Sequence, residues 1–147
     1  VNMSITTTIE AIKAVVSSGS TGIRRVCPPY PGSLNAADLP CCVVVPGEAA
    51  WNEHAGKLYR QGRTYSLRYY VKPVGQGKGV TDGAEQCFPL LQQQGYAFVS
   101  NPSLDDQVDH IGQQGEFADS GLRGDMEYAG VFYHGFELQI SVVEKGS

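Results

Sequence analysis

The stretch EYAGVFYHGFELQISVVEK, residues 127–145, decides the fold. From about residue 130 to 143 its side chains alternate with period two. Phe132, Phe136, Leu138, Ile140 and Val142 share one face, and Tyr133, Glu137, Gln139 and Ser141 share the other. A strand of this kind gives one face to a core and leaves the other for a neighbour. Gly130 and Gly135 permit a bulge or a close backbone approach where the sheet bends.

Working back from it, KLYRQGRTYSLRYYVKPV (57–74) shows the same period and predicts one long bent or hairpin-forming strand. Tyr65, Leu67, Tyr69 and Val71 point one way; Thr64, Ser66, Arg68, Tyr70 and Lys72 point the other. CCVVV (41–45) is apolar on both faces, as a central strand requires. IRRVC (23–27) reads as a short strand, and PPYPGSLNAADLP (28–40) as a long loop that holds neither helix nor ladder, because proline removes donors and fixes φ. PGEAAWNEHAG then separates two strands, and GQGKG (75–79) is a flexible break.

Two helices complete the set. Ile5, Ile9, Ile12 and Val16 recur at helical spacing and predict a helix over about 7–17, capped by Thr6 or Thr7 with Glu10 in its first turn. A second is expected over about 81–94, with Ala84, Cys87, Phe88 and Leu91 inward and a kink or second start at Pro89. YAFV (96–99) reads as a short strand, Asn101-Pro102 as a turn, and SLDDQVDHIGQQGEF (103–117) as irregular acidic structure. The order carries no repeating βαβ unit. It predicts an α+β fold in one domain over 1–147, a largely antiparallel twisted sheet with two main helices packed on one face. Met3 is a candidate native start, with Val1 and Asn2 added ahead of it, and no secretory leader or membrane span is expected.

Cys27, Cys41, Cys42 and Cys87 form no CxxC, and buried free thiols are expected rather than a disulfide framework. His54, His110 and His134 make neither HxH nor HExxH, so no metal site is expected; His134 reads as a core or interface histidine. There is no G-x-S-x-G elbow, no P-loop and no GxGxxG. Asp105, Asp106 and Asp109 lack the EF-hand order and read as a solvated loop, and the Arg123–Asp125 RGD tripeptide reads as coincidence. No enzyme and no cofactor are expected from these patterns.

Charge is the remaining signal. The net charge of −4 disfavours duplex nucleic acid. Residues 57–78 hold six basic residues and no acid, whereas 105–127 hold seven acids and one Arg. These blocks are either solvated or paired within one subunit, or they are the two sides of a head-to-tail contact between copies. In the second case Arg60, Arg63 and Arg68 would face Asp105, Asp106, Asp109 or Glu116.

The residues then carry a resemblance. IEAIKAVV, GIRRV, SLNAADLPCCVVVPG and the closing YxGxxYxGFEL run, in that order, resemble tail-terminator and related minor tail or neck proteins of long-tailed bacteriophages. The chain departs from that pattern in the CC after ADLP and in the glycine-rich break at 75–79. The resemblance implies an α+β subunit that assembles as a ring, typically a hexamer. Such a ring sits on the last ring of the tail tube, ends its polymerisation and presents a surface to the head connector, with no catalysis and no cofactor. It implies a virion location at the tail–head junction, after assembly in the cytoplasm of the infected bacterium. Tyr30, Leu34, Gln76 and Lys78, in the two loops, are the candidate contacts with tube or connector. Two other readings stay open. One is a small-ligand-binding domain or cryptic enzyme, using a cup between sheet and helices with His54, His110 or His134. The other is a single-strand nucleic-acid module that uses Arg60 and Arg68.

Overall fold

The computed structural model describes residues 5–19, 22–27, 32, 34, 36–54, 58–74, 84–100, 110–111 and 117–146, with backbone alone at 36, 49–54, 58–61, 84, 110–111, 117 and 143–146. Its elements are α1 (Ile5–Gly19), β1 (Arg25–Cys27), a 3₁₀ turn (Ala36–Asp38), β2 (Cys41–His54), β3 (Leu58–Pro73), α2 (Ala84–Val99), β4 (His110–Ile111), β5 (Phe117–Asp119), β6 (Arg123–Tyr128) and β7 (Val131–Gly146). The seven strands form one sheet in the order β1-β2-β3-β7-β4, with β5 and β6 also on β7. Every pairing is antiparallel except β1 with β2. The fold is therefore α+β, as the strand and helix patterns predict.

The three long strands form the frame. Leu67 sits opposite Val44 on one side and Leu138 on the other, so β3 is central and its register is set by what each face buries. Tyr65, Leu67, Tyr69 and Val71 join Phe136, Leu138, Ile140 and Val142 in the main core, where α1 and α2 cover them. Tyr69 stacks on Phe136 at a centroid distance of 4.4 Å, worth about 0.5–1.5 kcal/mol beyond the area buried. Gly135 is required at this crossing, because a Cβ there would run into the Tyr69 carbonyl oxygen.

The opposite face carries a second, smaller core of Cys27, Leu39, Cys41, Val43, Tyr70, Met126 and Tyr133. It forms because β6 turns back beside β7 through Ala129 and Gly130, both at positive φ (53° and 85°), as a two-residue hairpin of this hand demands. All four cysteines are buried and unbonded.

Several local expectations are corrected. Helix α1 begins at Ile5, which is exposed, so Thr6 and Thr7 lie inside its first turn rather than capping it. Glu10 falls beyond that turn and instead reaches Lys13 at 3.4 Å. The proline-rich segment does hold one helical turn, at Ala36–Asp38, whose Asp38 accepts from Arg25 at 2.9 Å. The separating segment after Pro46 is strand: β2 passes a register shift between Pro46 and Ala49 and pairs with β3 as far as His54. YAFV is the last turn of α2, not a strand, and Pro89 lies inside that continuous helix. Phe88 and Phe132, both expected inward, are exposed. Part of the acidic segment is strand, since β4 lies within it and β5 starts at its last residue, and both pair with β7. The expected turn at Asn101-Pro102 and the break at 75–79 lie outside the described residues.

Candidate functional site

Two basic residues of β3 are tied down within the subunit. Arg63 donates to the Gly47 carbonyl at 2.8 Å, where β2 changes register. Arg68 sits directly opposite Glu137 on β7, with Nε 3.4 Å from the carboxylate. Arg123 and Asp125 make a two-point pair along one strand, and that contact holds the Asp125 carboxyl below its ordinary range. The RGD tripeptide is thus part of β6 with its own charges matched. The side chains of Arg60, Asp105, Asp106, Asp109, Glu116, Tyr30, Gln76 and Lys78 lie outside the described residues, as do those of His54 and His110. Leu34 packs on the second core, and His134 is buried in β7.

The space between sheet and helices, where a histidine-lined cup was one expectation, is filled among the described residues by the main core. A polar side chain buried beside it is Gln94. This side chain accepts from the Tyr69 hydroxyl at 2.8 Å and donates to the Val16 carbonyl at 3.1 Å. Both helices are thereby clamped to β3. No three His, Cys, Asp or Glu side chains gather among the described residues in a way that suits a metal ion.

Two surface features stand out instead. The first is a hollow of about 340 Å³ on the face away from the helices, lined by Val43, Val45, Ser66, Arg68, Tyr70, Tyr128 and Glu137. Period-two alternation brings these residues together: 43 and 45 from β2, 66, 68 and 70 from β3, 137 from β7. The Tyr70 ring is wedged edge-on against Tyr128 (5.7 Å) and Tyr133 (5.4 Å). Its hydroxyl is buried without a hydrogen-bond partner among the described residues, and burial raises its pKa.

The second feature is the outer surface of α2. Phe88, Tyr96 and Val99 are 56%, 73% and 67% exposed. Their spacing of eight and three, with exposed Gln92 between, is that of one helical stripe. Glu85 is the helix's sole charged residue. An exposed helix face with aromatic side chains and almost no charge is unlike a solvated surface and like the centre of an interface.

The stripe holds none of the residues picked out by charge, and the hollow holds one of them, Arg68. The stripe has a sequence signal, the eight-residue step from Phe88 to Tyr96 inside an uncharged run, but only if 96–99 is read as helix. The hollow has none, since its lining spans positions 43 to 137. No protein-family model matches the chain, and comparison with curated proteins finds no match. No helix among the described residues is long and apolar enough to cross a membrane.

Proposed function

We propose that this protein is a structural subunit of a long-tailed bacteriophage virion, a tail terminator or related head–tail junction protein. It forms a ring, caps the tail tube and joins it to the connector. The observation that carries the assembly part of this reading is the outer face of α2, where Phe88, Tyr96 and Val99 stand in solvent with hardly a charge around them. A lone subunit gains nothing from such a face, whereas a subunit enclosed by neighbours buries it. The virion part rests on the resemblance carried by SLNAADLPCCVVVPG and YxGxxYxGFEL. On this reading the partners are further copies of the chain, the tube and the connector, and the work is done by fit rather than by chemistry.

The test is to mix the purified protein with tail tubes of the phage that encodes it, then sediment and image by negative stain. Rings at one tube end are expected, with the protein recovered in the tube pellet. A protein that neither forms rings nor pellets with tubes overturns the reading.

A further inference from the structure

The α2 stripe and the hollow lie on opposite faces of one sheet: α2 packs on the face of Tyr65, Leu67 and Tyr69, and the hollow opens over Ser66, Arg68 and Tyr70. They are also chemically matched. The hollow's two charges neutralise each other, because Arg68 and Glu137 are 3.4 Å apart. The rest of its lining is valine, tyrosine and one serine. An incoming charge would therefore meet no counter-charge to offset its desolvation. An apolar or aromatic surface with a few uncharged hydrogen-bonding atoms fits better. The Tyr70 hydroxyl, without a partner among the described residues, gives such an atom something to meet. From Phe88 to Val99 the α2 stripe is of that composition, with two aromatic rings, the Gln92 amide and the Tyr96 hydroxyl. The helix's one charge, the exposed Glu85, lies a turn before Phe88 at its N-terminal end.

We propose that α2 of one copy docks across the hollow of the next, with Tyr96 entering it. This deepens the assembly reading above and rests on it. Since the two surfaces face opposite ways, a two-fold axis cannot satisfy both at once. Each copy must offer its stripe to one neighbour and its hollow to another, which is a heterologous contact and generates a ring where the rotation closes.

A mixing experiment tests the contact with the full chain. Tyr96→Asp spoils the stripe and leaves the hollow; Ser66→Trp fills the hollow and leaves the stripe. In sedimentation velocity the wild type should assemble, and each variant alone should associate at least tenfold more weakly. An equal mixture of the two should give a one-to-one dimer, because one good stripe then meets one good hollow. Should Ser66→Trp fail to fold by circular dichroism, oxidation of mixed Tyr96→Cys and Ser66→Cys chains replaces it. Those two cysteines should cross-link between copies, while each chain alone should not.

The contact is overturned if the wild type stays monomeric, if both variants assemble as the wild type does, or if the mixture neither dimerises nor cross-links. It is equally overturned if native mass spectrometry finds a small molecule held by the purified protein and lost in Ser66→Trp. Rings on tubes that persist in both variants would sink this contact and leave the ring reading standing. Absence of rings and of tube binding would sink both.

Discussion

The Tyr69 hydroxyl donates to Gln94 at 2.8 Å, and Gln94 passes the connection on to the Val16 carbonyl at 3.1 Å. One buried amide thus joins the central strand, α2 and α1. Gln94→Leu keeps much of the volume but leaves the phenol and the carbonyl without this partner. The expected loss is about 2–6 kcal/mol, from two buried polar groups at roughly 1–3 kcal/mol each. Urea unfolding should show a lower midpoint with an unchanged slope. Pairing the change with Tyr69→Phe should recover part of the loss, since the orphaned hydroxyl is then gone.

Gly135 and Gly130 make a second, comparative prediction. Alanine at Gly135 puts a methyl group against the Tyr69 carbonyl oxygen, so β3 and β7 must separate where Tyr69 stacks on Phe136. A loss of about 3 kcal/mol or more is expected, or failure to fold. Alanine at Gly130 meets open space, and its cost comes from the positive φ of 85° alone, about 1 kcal/mol. Thermal melts of the two variants should differ widely; similar melts would mean that the β3–β7 crossing is looser than its geometry implies.

The thiols yield a pH dependence. Burial pushes Cys41 up to about 12 and Cys87 up to about 11, from an ordinary value of 9.0, and pushes Cys42 up as well. An unfolded chain releases these protons near pH 9, while the folded chain holds them. The fold therefore binds more protons than the unfolded state between about pH 9 and 12. Stability from this source is complete below pH 9 and falls as pH rises through that window. Native protein at pH 8 should leave a thiol reagent such as DTNB almost unreacted, and denatured protein should release four equivalents of thiolate, one for each of the four free cysteines. Rapid reaction of the native protein would contradict the burial.

Which parts of the fold are legible in the sequence depends on which forces are local. β3 and β7 announce themselves because each buries one face over many residues, so the alternation in TYSLRYYV and FELQISV is unbroken. β6 is hidden in RGDMEY because it buries Met126 alone. The later part of β2 is hidden for a different reason. Pro46, Gly47 and Glu48 argue against a strand, and what makes one is the distant partner from Arg63 to Leu58. In α2 hydropathy alone misplaces the helix face: it favours Phe88 inside and Gln94 outside, whereas the Tyr69 and Val16 bonds reverse that choice. The same reversal exposes the stripe, so the error in the fold and the missed surface share one cause. The basic face of β3, by contrast, is visible in the sequence but its meaning is not, because the Arg68–Glu137 match depends on strand register.

That match supplies the next prediction. Arg68 is half-exposed, so the pair is screened and should contribute only about 0–1 kcal/mol. Arg68→Glu alone places two acids opposite each other and should lower the melting temperature. Adding Glu137→Arg should restore it within the same molecule. Restoration shows a pairing internal to the subunit; if the double change folds yet assembles differently from the wild type, the charges also face a neighbour.

Pro89 supplies the last. It lies in the body of α2, where it has no N–H to offer the Glu85 carbonyl and its ring crowds that oxygen. Proline in such a position costs about 3 kcal/mol relative to alanine, and its stiffening of the unfolded chain gives back roughly 0.4–1 kcal/mol. The residue is exposed, so little packing is lost when the ring is removed. Pro89→Ala should therefore stabilise the protein by about 2–2.5 kcal/mol, read as a higher urea midpoint with an unchanged slope. A lower midpoint would mean that the ring is held firmly against the Gly22, Arg24 and Pro40 surface beside it. That contact, rather than the helix, would then be what proline at this position serves.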